Sequence, residues 1–219
     1  MGNLSLVQTI TVYILPLVFA ITVHEAAHAY MAQKYGDNTA KQYGRLSLNP
    51  IKHIDPLGTI AFPLISIVLG AMAGGAGIIF GWAKPVPINF ARLNNPKRDL
   101  FWVALAGPLS NFAMALIWAL IFKASTYTNT YVGTPLNLMA QAGISINISL
   151  MVLNLLPILP LDGGRMVFSL LPPKEAQQYA NTERYGMIIV MVLLLMGALN
   201  AVLIPICRFF INIIYSLII

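Results

Sequence analysis

Charge is what this sequence lacks. Of its 219 residues only 9% are charged, whereas 58% are hydrophobic. A soluble domain carries about 25% charged residues, so too few polar side chains are present to clothe a surface in water, and the chain falls in the membrane class. Cysteine is nearly absent too. The single Cys207 excludes an intramolecular disulfide and any zinc site built from cysteines. No basic run reaches the length of a nucleic-acid-binding tail. The formal net charge of +6 is therefore expected to fix orientation in a bilayer, and no nucleic-acid partner is expected. The N-terminal stretch 1–15 lacks the basic start of a cleavable signal peptide, so the first apolar segment is expected to stay in place.

Proline and glycine are abundant, at 14 and 16 residues. Several interrupt apolar runs, at Pro16, Pro63, Gly70, Gly107, Pro108 and Pro157. Membrane helices tolerate such breakers where protein or a water-filled cavity satisfies the freed backbone.

A spanning helix needs about 20 mostly apolar residues. Candidate segments are 5–32, 57–81, 100–122, 136–160 and 186–204, with a short apolar tail at 209–219. Loops 34–55, 82–98 and 161–184 are basic or mixed, whereas 124–135 carries no charge. The excess of Lys and Arg in cytoplasmic loops then puts the first three inside and 124–135 outside. Region 57–81 has cytoplasmic flanks on both sides. A re-entrant loop turning at Gly70–Gly77 resolves this, and a simple span is the rival. Segment 41–49 partly alternates as a strand does. The prolines of 82–89 restrict that stretch to an edge strand or an extended loop. The expected fold is an all-α polytopic membrane protein forming one domain over 1–219. It has about five to six transmembrane helices, with a re-entrant or short β element between the first helix and the 100–122 helix.

The first apolar segment ends in His24-Glu25-Ala-Ala-His28. Positions i and i+4 of a helix share a face, so His24 and His28 can hold one divalent ion, with Glu25 bordering that face as a general base rather than a ligand. The same pattern occurs by chance in soluble helices. Inside a span, however, each ionisable residue costs roughly 2.5–3.5 kcal/mol and marks function by default. A catalytic zinc takes three protein ligands and keeps one open position. Asp162 is the best third ligand, because it follows an apolar segment broken by Pro157 and Pro160, and Gly163 and Gly164 permit close backbone approach. An Asp capping the next helix is the alternative.

These residues resemble the site-2 protease family (peptidase family M50) of intramembrane zinc metalloproteases. The likeness rests on His24-Glu25-x-x-His28, on Gly107-Pro108-Leu-Ser-Asn111 and on Asn154 through Asp162-Gly163. Gly44 to Pro50 and Gly81 to Asn89 look like the compact prokaryotic branch. The resemblance implies one Zn2+ held by His24, His28 and Asp162, with Glu25 as general base. It gives Asn154 a place steadying the substrate or the oxyanion, against a helix–helix hydrogen bond; Asn111 reads as structural. The family motif often begins Asn-Pro, whereas Leu155 follows Asn154 here. His53, in Lys52-His53-Ile-Asp55-Pro56, either approaches the site to bind substrate or metal or is a turn residue.

The implied activity is hydrolysis of peptide bonds in or near the transmembrane helices of membrane-protein substrates. The implied place is the cell membrane, with the site near the cytoplasmic side. No segment outside the membrane is long enough for the PDZ or CBS domain of larger members. Substrate selection is thus expected to fall to the membrane segments and to extended pieces such as 82–89, which offer strand addition. The competing reading is a divalent-metal transporter, which needs polar residues along a path. A catalytically dead scaffold is disfavoured because every expected catalytic residue is present. Substrate identity and oligomeric state are not legible.

Overall fold

The computed structural model describes residues 5–53, 55–61, 64, 65, 68 and 84–218. Four of its helices are long and apolar enough to cross a membrane. They are α1 (Leu6–Lys34), α3 (Pro96–Ser125), α4 (Thr130–Asn154) and α8 (Ala198–Ile218). Shorter helices connect them: α2 (Thr39–Gln42), α5 (Asp162–Leu170), α6 (Pro173–Ala180) and α7 (Glu183–Leu195). Helix α1 starts with a capping box, in which Ser5 Oγ accepts from Gln8 N–H and the Gln8 side chain accepts from Ser5 N–H. This pairing satisfies two of the orphan donors at a helix start.

Helix α3 lies at the centre, packed along α4 and α1 and against α5. Between apolar helices in lipid there is little hydrophobic drive, so close packing of small residues and interhelical hydrogen bonds do the work. The buried faces fit that rule. Helix α3 buries Ala104, Gly107, Ala115 and Ala119, and α4 buries Gly133, Ala140 and Gly143. Trp118, Ile144, Ile148 and Met151 fill the space between them and α8. The helix-breaking Pro16 and Pro108 are fully enclosed, as breakers at membrane depth must be.

Several boundaries differ from the sequence reading. The 136–160 segment is helical from Thr130 and stops at Asn154, because the prolines beyond cannot continue it. The 186–204 segment is two helices rather than one, divided at Met196 and Gly197, where Gly197 takes φ +72°. The second of these runs through the apolar tail to Ile218. Segment 41–49 is not a strand: Thr39–Gln42 forms a helical turn and Gly44 turns with φ +65°. No strand is present among the described residues. Region 57–81 starts in one wide helical turn, Pro56–Ala61, and its proposed turn at Gly70–Gly77 lies outside the described residues.

Candidate metal centre

His24 and His28 stand one turn apart on α1 and face α3, both buried. The ring of His24 donates from Nδ1 to Asn111 Oδ1 at 2.6 Å, and His28 donates from Nδ1 to the Val103 carbonyl at 2.7 Å. The Asn111 amide is itself oriented: its Nδ2 donates to Ala20 O and to Asn147 Oδ1. Asn147 in turn donates to Gly143 O. With both Nδ1 atoms carrying the proton, both Nε2 atoms carry lone pairs. These two Nε2 atoms lie 3.0 Å apart.

Asp162 comes to the same point from the other end of the chain. Helix α4 ends at Asn154, the backbone turns through Leu155–Leu161, and Asp162 opens α5. Its side chain does not cap that helix. It points to the imidazoles, with Oδ2 at 3.1 Å from His24 Nε2 and Oδ1 at 3.3 Å from His28 Nε2. Glycines admit this corner. A Cβ on Gly163 would lie 2.3 Å from Leu155 O, one on Gly164 2.5 Å from the Ile158 and Leu159 backbone, and one on Gly107 2.4 Å from His28 Nε2.

The donor set fits a cation. Two imidazole lone pairs and a carboxylate facing one another repel unless a positive charge lies between them. Asp162 Oδ2 is buried and makes no well-formed hydrogen bond, as a metal ligand would not. Tetrahedral zinc with bonds near 2.0–2.1 Å separates neighbouring donors by about 3.3 Å. The separations of 3.0, 3.1 and 3.3 Å are close to that value. His24, His28 and Asp162 are the group of metal-capable side chains found among the described residues.

Glu25 borders the same cavity, of about 320 Å³, which Pro85, Val86, Asn154 and Arg165 also line. Its Oε2 accepts from Val86 N–H at 2.8 Å. The 84–89 stretch is extended without strand pairing and tied at intervals. Lys84 N–H donates to His53 O, Val86 N–H to Glu25, and Asn89 N–H to the buried Asp37. Asn154 lines the cavity, but its Nδ2 donates to Leu150 O within its own helix. His53 does not line it. It is fully buried and its Nε2 bonds the Ser47 carbonyl. The sequence reading missed the orienting part of Asn111 and all of Asn147; an amide in the middle of an apolar helix was the available signal.

A family model described as "Peptidase family M50" matches residues 121–198. Among curated proteins, "Putative zinc metalloprotease YwhC" of Bacillus subtilis (strain 168) is 39% identical over 184 residues, covering 82% of this chain and 78% of the relative. "Putative zinc metalloprotease Rip2" of Mycolicibacterium smegmatis is 28% identical over 201 residues, covering 90% of this chain and 71% of the relative. The Rip2 protein of Mycobacterium tuberculosis (strain H37Rv) is 28% identical, covering 83% and 65% respectively. No solved structure matches.

Proposed function

We propose, because this chain belongs to peptidase family M50, that it is an intramembrane zinc metalloprotease with its single metal on His24, His28 and Asp162 and its general base at Glu25. It hydrolyses peptide bonds in or near the transmembrane helices of membrane-protein substrates, in the manner of regulated intramembrane proteolysis. The observation that carries the assignment of residues is the convergence of three buried donors from α1 and α5. Both rings already spend their Nδ1 protons elsewhere.

When bound, zinc supplies Lewis acidity that polarises a scissile carbonyl and acidifies water. The chain's own groups do the rest. Glu25 takes a proton from the attacking water as the C–O bond forms and then delivers it to the amide nitrogen as the C–N bond breaks. Val86 N–H holds the Glu25 carboxylate in place for both transfers. The 84–89 segment lies along the cavity as a surface for an unwound substrate strand. The His53 backbone carbonyl accepts from Lys84 N–H and so ties the start of that segment, which favours the turn reading of His53. Asn154 steadies the substrate or the oxyanion once its Nδ2 is released from Leu150 O.

The chain is a multi-pass membrane protein, and we place it in the cell membrane as one domain with its site toward the cytoplasm. The basic residues that follow α1 support this orientation. The transporter reading lacks support for the path it needs: among the described residues the metal-capable groups meet at one point. The test is Glu25→Gln in protein reconstituted with a tagged membrane substrate. Zinc content stays at one per chain and cleavage falls by at least about 10²-fold, the lower end of what general acid–base catalysis contributes. Cleavage at the wild-type rate removes Glu25 from the mechanism, and zinc flux into sealed vesicles restores the transporter.

A further inference from the structure

A second cavity, of about 350 Å³, lies among α1, α4 and α8, and a cation lines it. Its walls are mostly apolar, from Leu17 of α1, Leu150 and Leu153 of α4, and Leu203 of α8, and Arg208 is among its lining residues. Helix α8 has 21 residues, about 31 Å at 1.5 Å per residue, which matches the roughly 30 Å hydrocarbon core. Arg208 stands at the middle of it. Its Cα is therefore about 15 Å from either end of the helix, farther than the side chain can extend toward the headgroups. An intramembrane cation of this kind is a functional site by default, with a partner to be named.

Among the described residues no ion pair or hydrogen bond reaches Arg208. Of the seven acidic residues, the only ones on the four long helices are Glu25 and Asp99. Glu25 belongs to the metal cavity, and Asp99 is buried at the start of α3, accepting from Asn95 N–H. A second copy of the chain carries the same long helices, so a carboxylate at the depth of Arg208 points to a different molecule.

Two features place that molecule relative to the metal. Neighbouring residues of α4 and α7 line both cavities: Asn154 and Met191 the first, Leu153 and Leu194 the second. The depth is comparable. Phe210 stacks edge-on against Phe112 of α3, and Gly107, five residues before Phe112, lies against the imidazoles. Arg208 is thus displaced from the metal level by about one helical turn, some 5 Å, toward the C-terminal end of α3.

We propose that this cleft seats the substrate helix and that Arg208 reads an Asp or Glu carboxylate within the substrate's membrane segment, about one turn from the bond that is cut. This names the substrate class and rests on the protease reading above. The cavity has room for a few side chains and not for a whole helix, so it registers a helix lying on its mouth. A lone carboxylate and a lone guanidinium in lipid each carry a desolvation cost, and pairing removes both. A neutral helix leaves Arg208 unpaired, so the cleft discriminates against it.

The test uses the full-length protein in neutral-lipid liposomes with a tagged single-span reporter. The reporter helix is Leu/Ala-rich with no ionisable residue, or carries one Asp walked position by position through the span. Wild-type protein is expected to cut one narrow set of Asp positions about tenfold faster than the neutral reporter. Arg208→Gln, checked for wild-type zinc content, brings that ratio to about one, Arg208→Lys restores part of it, and Arg208→Glu moves the preference to a Lys reporter. Cutting of the neutral reporter with no dependence on the Asp position overturns the inference and leaves the protease assignment standing. So does a rate that follows added anionic lipid instead of the reporter's Asp, which assigns Arg208 to lipid. If wild-type protein cuts no reporter and matches Glu25→Gln throughout, the protease reading fails and this inference with it.

Discussion

At the scale of single residues, the site is decided by which imidazole nitrogen keeps its proton. Asn111 and the Val103 carbonyl each accept from a Nδ1, and that choice delivers both Nε2 lone pairs to the metal position. Groups that orient a ligating histidine typically contribute 10–100-fold to metal affinity. Asn111→Leu keeps the branching at Cγ and removes the acceptor, so zinc affinity should fall by about 10–100-fold in chelator competition while the helical circular dichroism signal is retained. An unchanged zinc affinity would show that Val103 and Asp162 alone fix the rings. Gly107 makes a complementary case. An alanine there puts a Cβ 2.4 Å from His28 Nε2 and 2.6 Å from His24, in the space the metal needs. Gly107→Ala should lower zinc stoichiometry below one per chain, read by elemental analysis, because the imidazoles must swing away from the metal position to clear the added methyl.

At the scale of elements, the corner between α4 and α5 carries Asp162, the proposed third ligand. Tyr179 helps hold it: burial pushes the phenol pKa up, so it stays protonated and donates to Pro157 O at 2.9 Å. Gly164→Ala tests the corner without touching a ligand. The added Cβ meets backbone at 2.5 Å, so α5 must slide off Ile158 and Leu159 and take Asp162 with it. A displacement near 1 Å costs on the order of 10²-fold in turnover. The expected result is that loss in a cleavage assay, with the protein still monodisperse in detergent. The corner was legible in the sequence because its signals are local: Pro157 and Pro160 stop a helix, and Gly163 and Gly164 permit contact. The division at Gly197 was not, because a helix apolar all round shows no change of face at a break, so apolarity alone runs 186–204 together. The 41–49 alternation misled for the opposite reason. Period 2 over so few residues is weak evidence, and the turn at Gly44 outweighed it. The pairing of Asn111 with Asn147 joins two helices whose register no local pattern records.

At the scale of the whole molecule, the metal position is a tertiary crosslink. His24 and His28 belong to the first spanning helix, and Asp162 to the segment after α4, so an ion there ties the N-terminal helix to the far side of the bundle across α3. The rest of the α1 interface is small residues and side chains such as Val12, Leu17 and Ile21 against Ala142 and Ile146, which in lipid contributes packing but little hydrophobic drive. A ligand that binds only the folded arrangement stabilises it by RT ln(1 + [L]/Kd), about 4 kcal/mol at a thousandfold excess over Kd. Thermal unfolding of the purified protein in detergent should therefore show a higher Tm with zinc than after chelation, and the increase should saturate at one equivalent. Asp162→Ala should abolish that zinc-dependent increase, since two donors from one helix no longer join two parts of the chain. Glu25→Gln should keep it in full, because the role proposed for Glu25 is toward the water and not the ion. An equal zinc-dependent rise in Asp162→Ala and wild type would mean that the ion is held by α1 alone, and the carboxylate from the far side of the bundle would lose its place in the site.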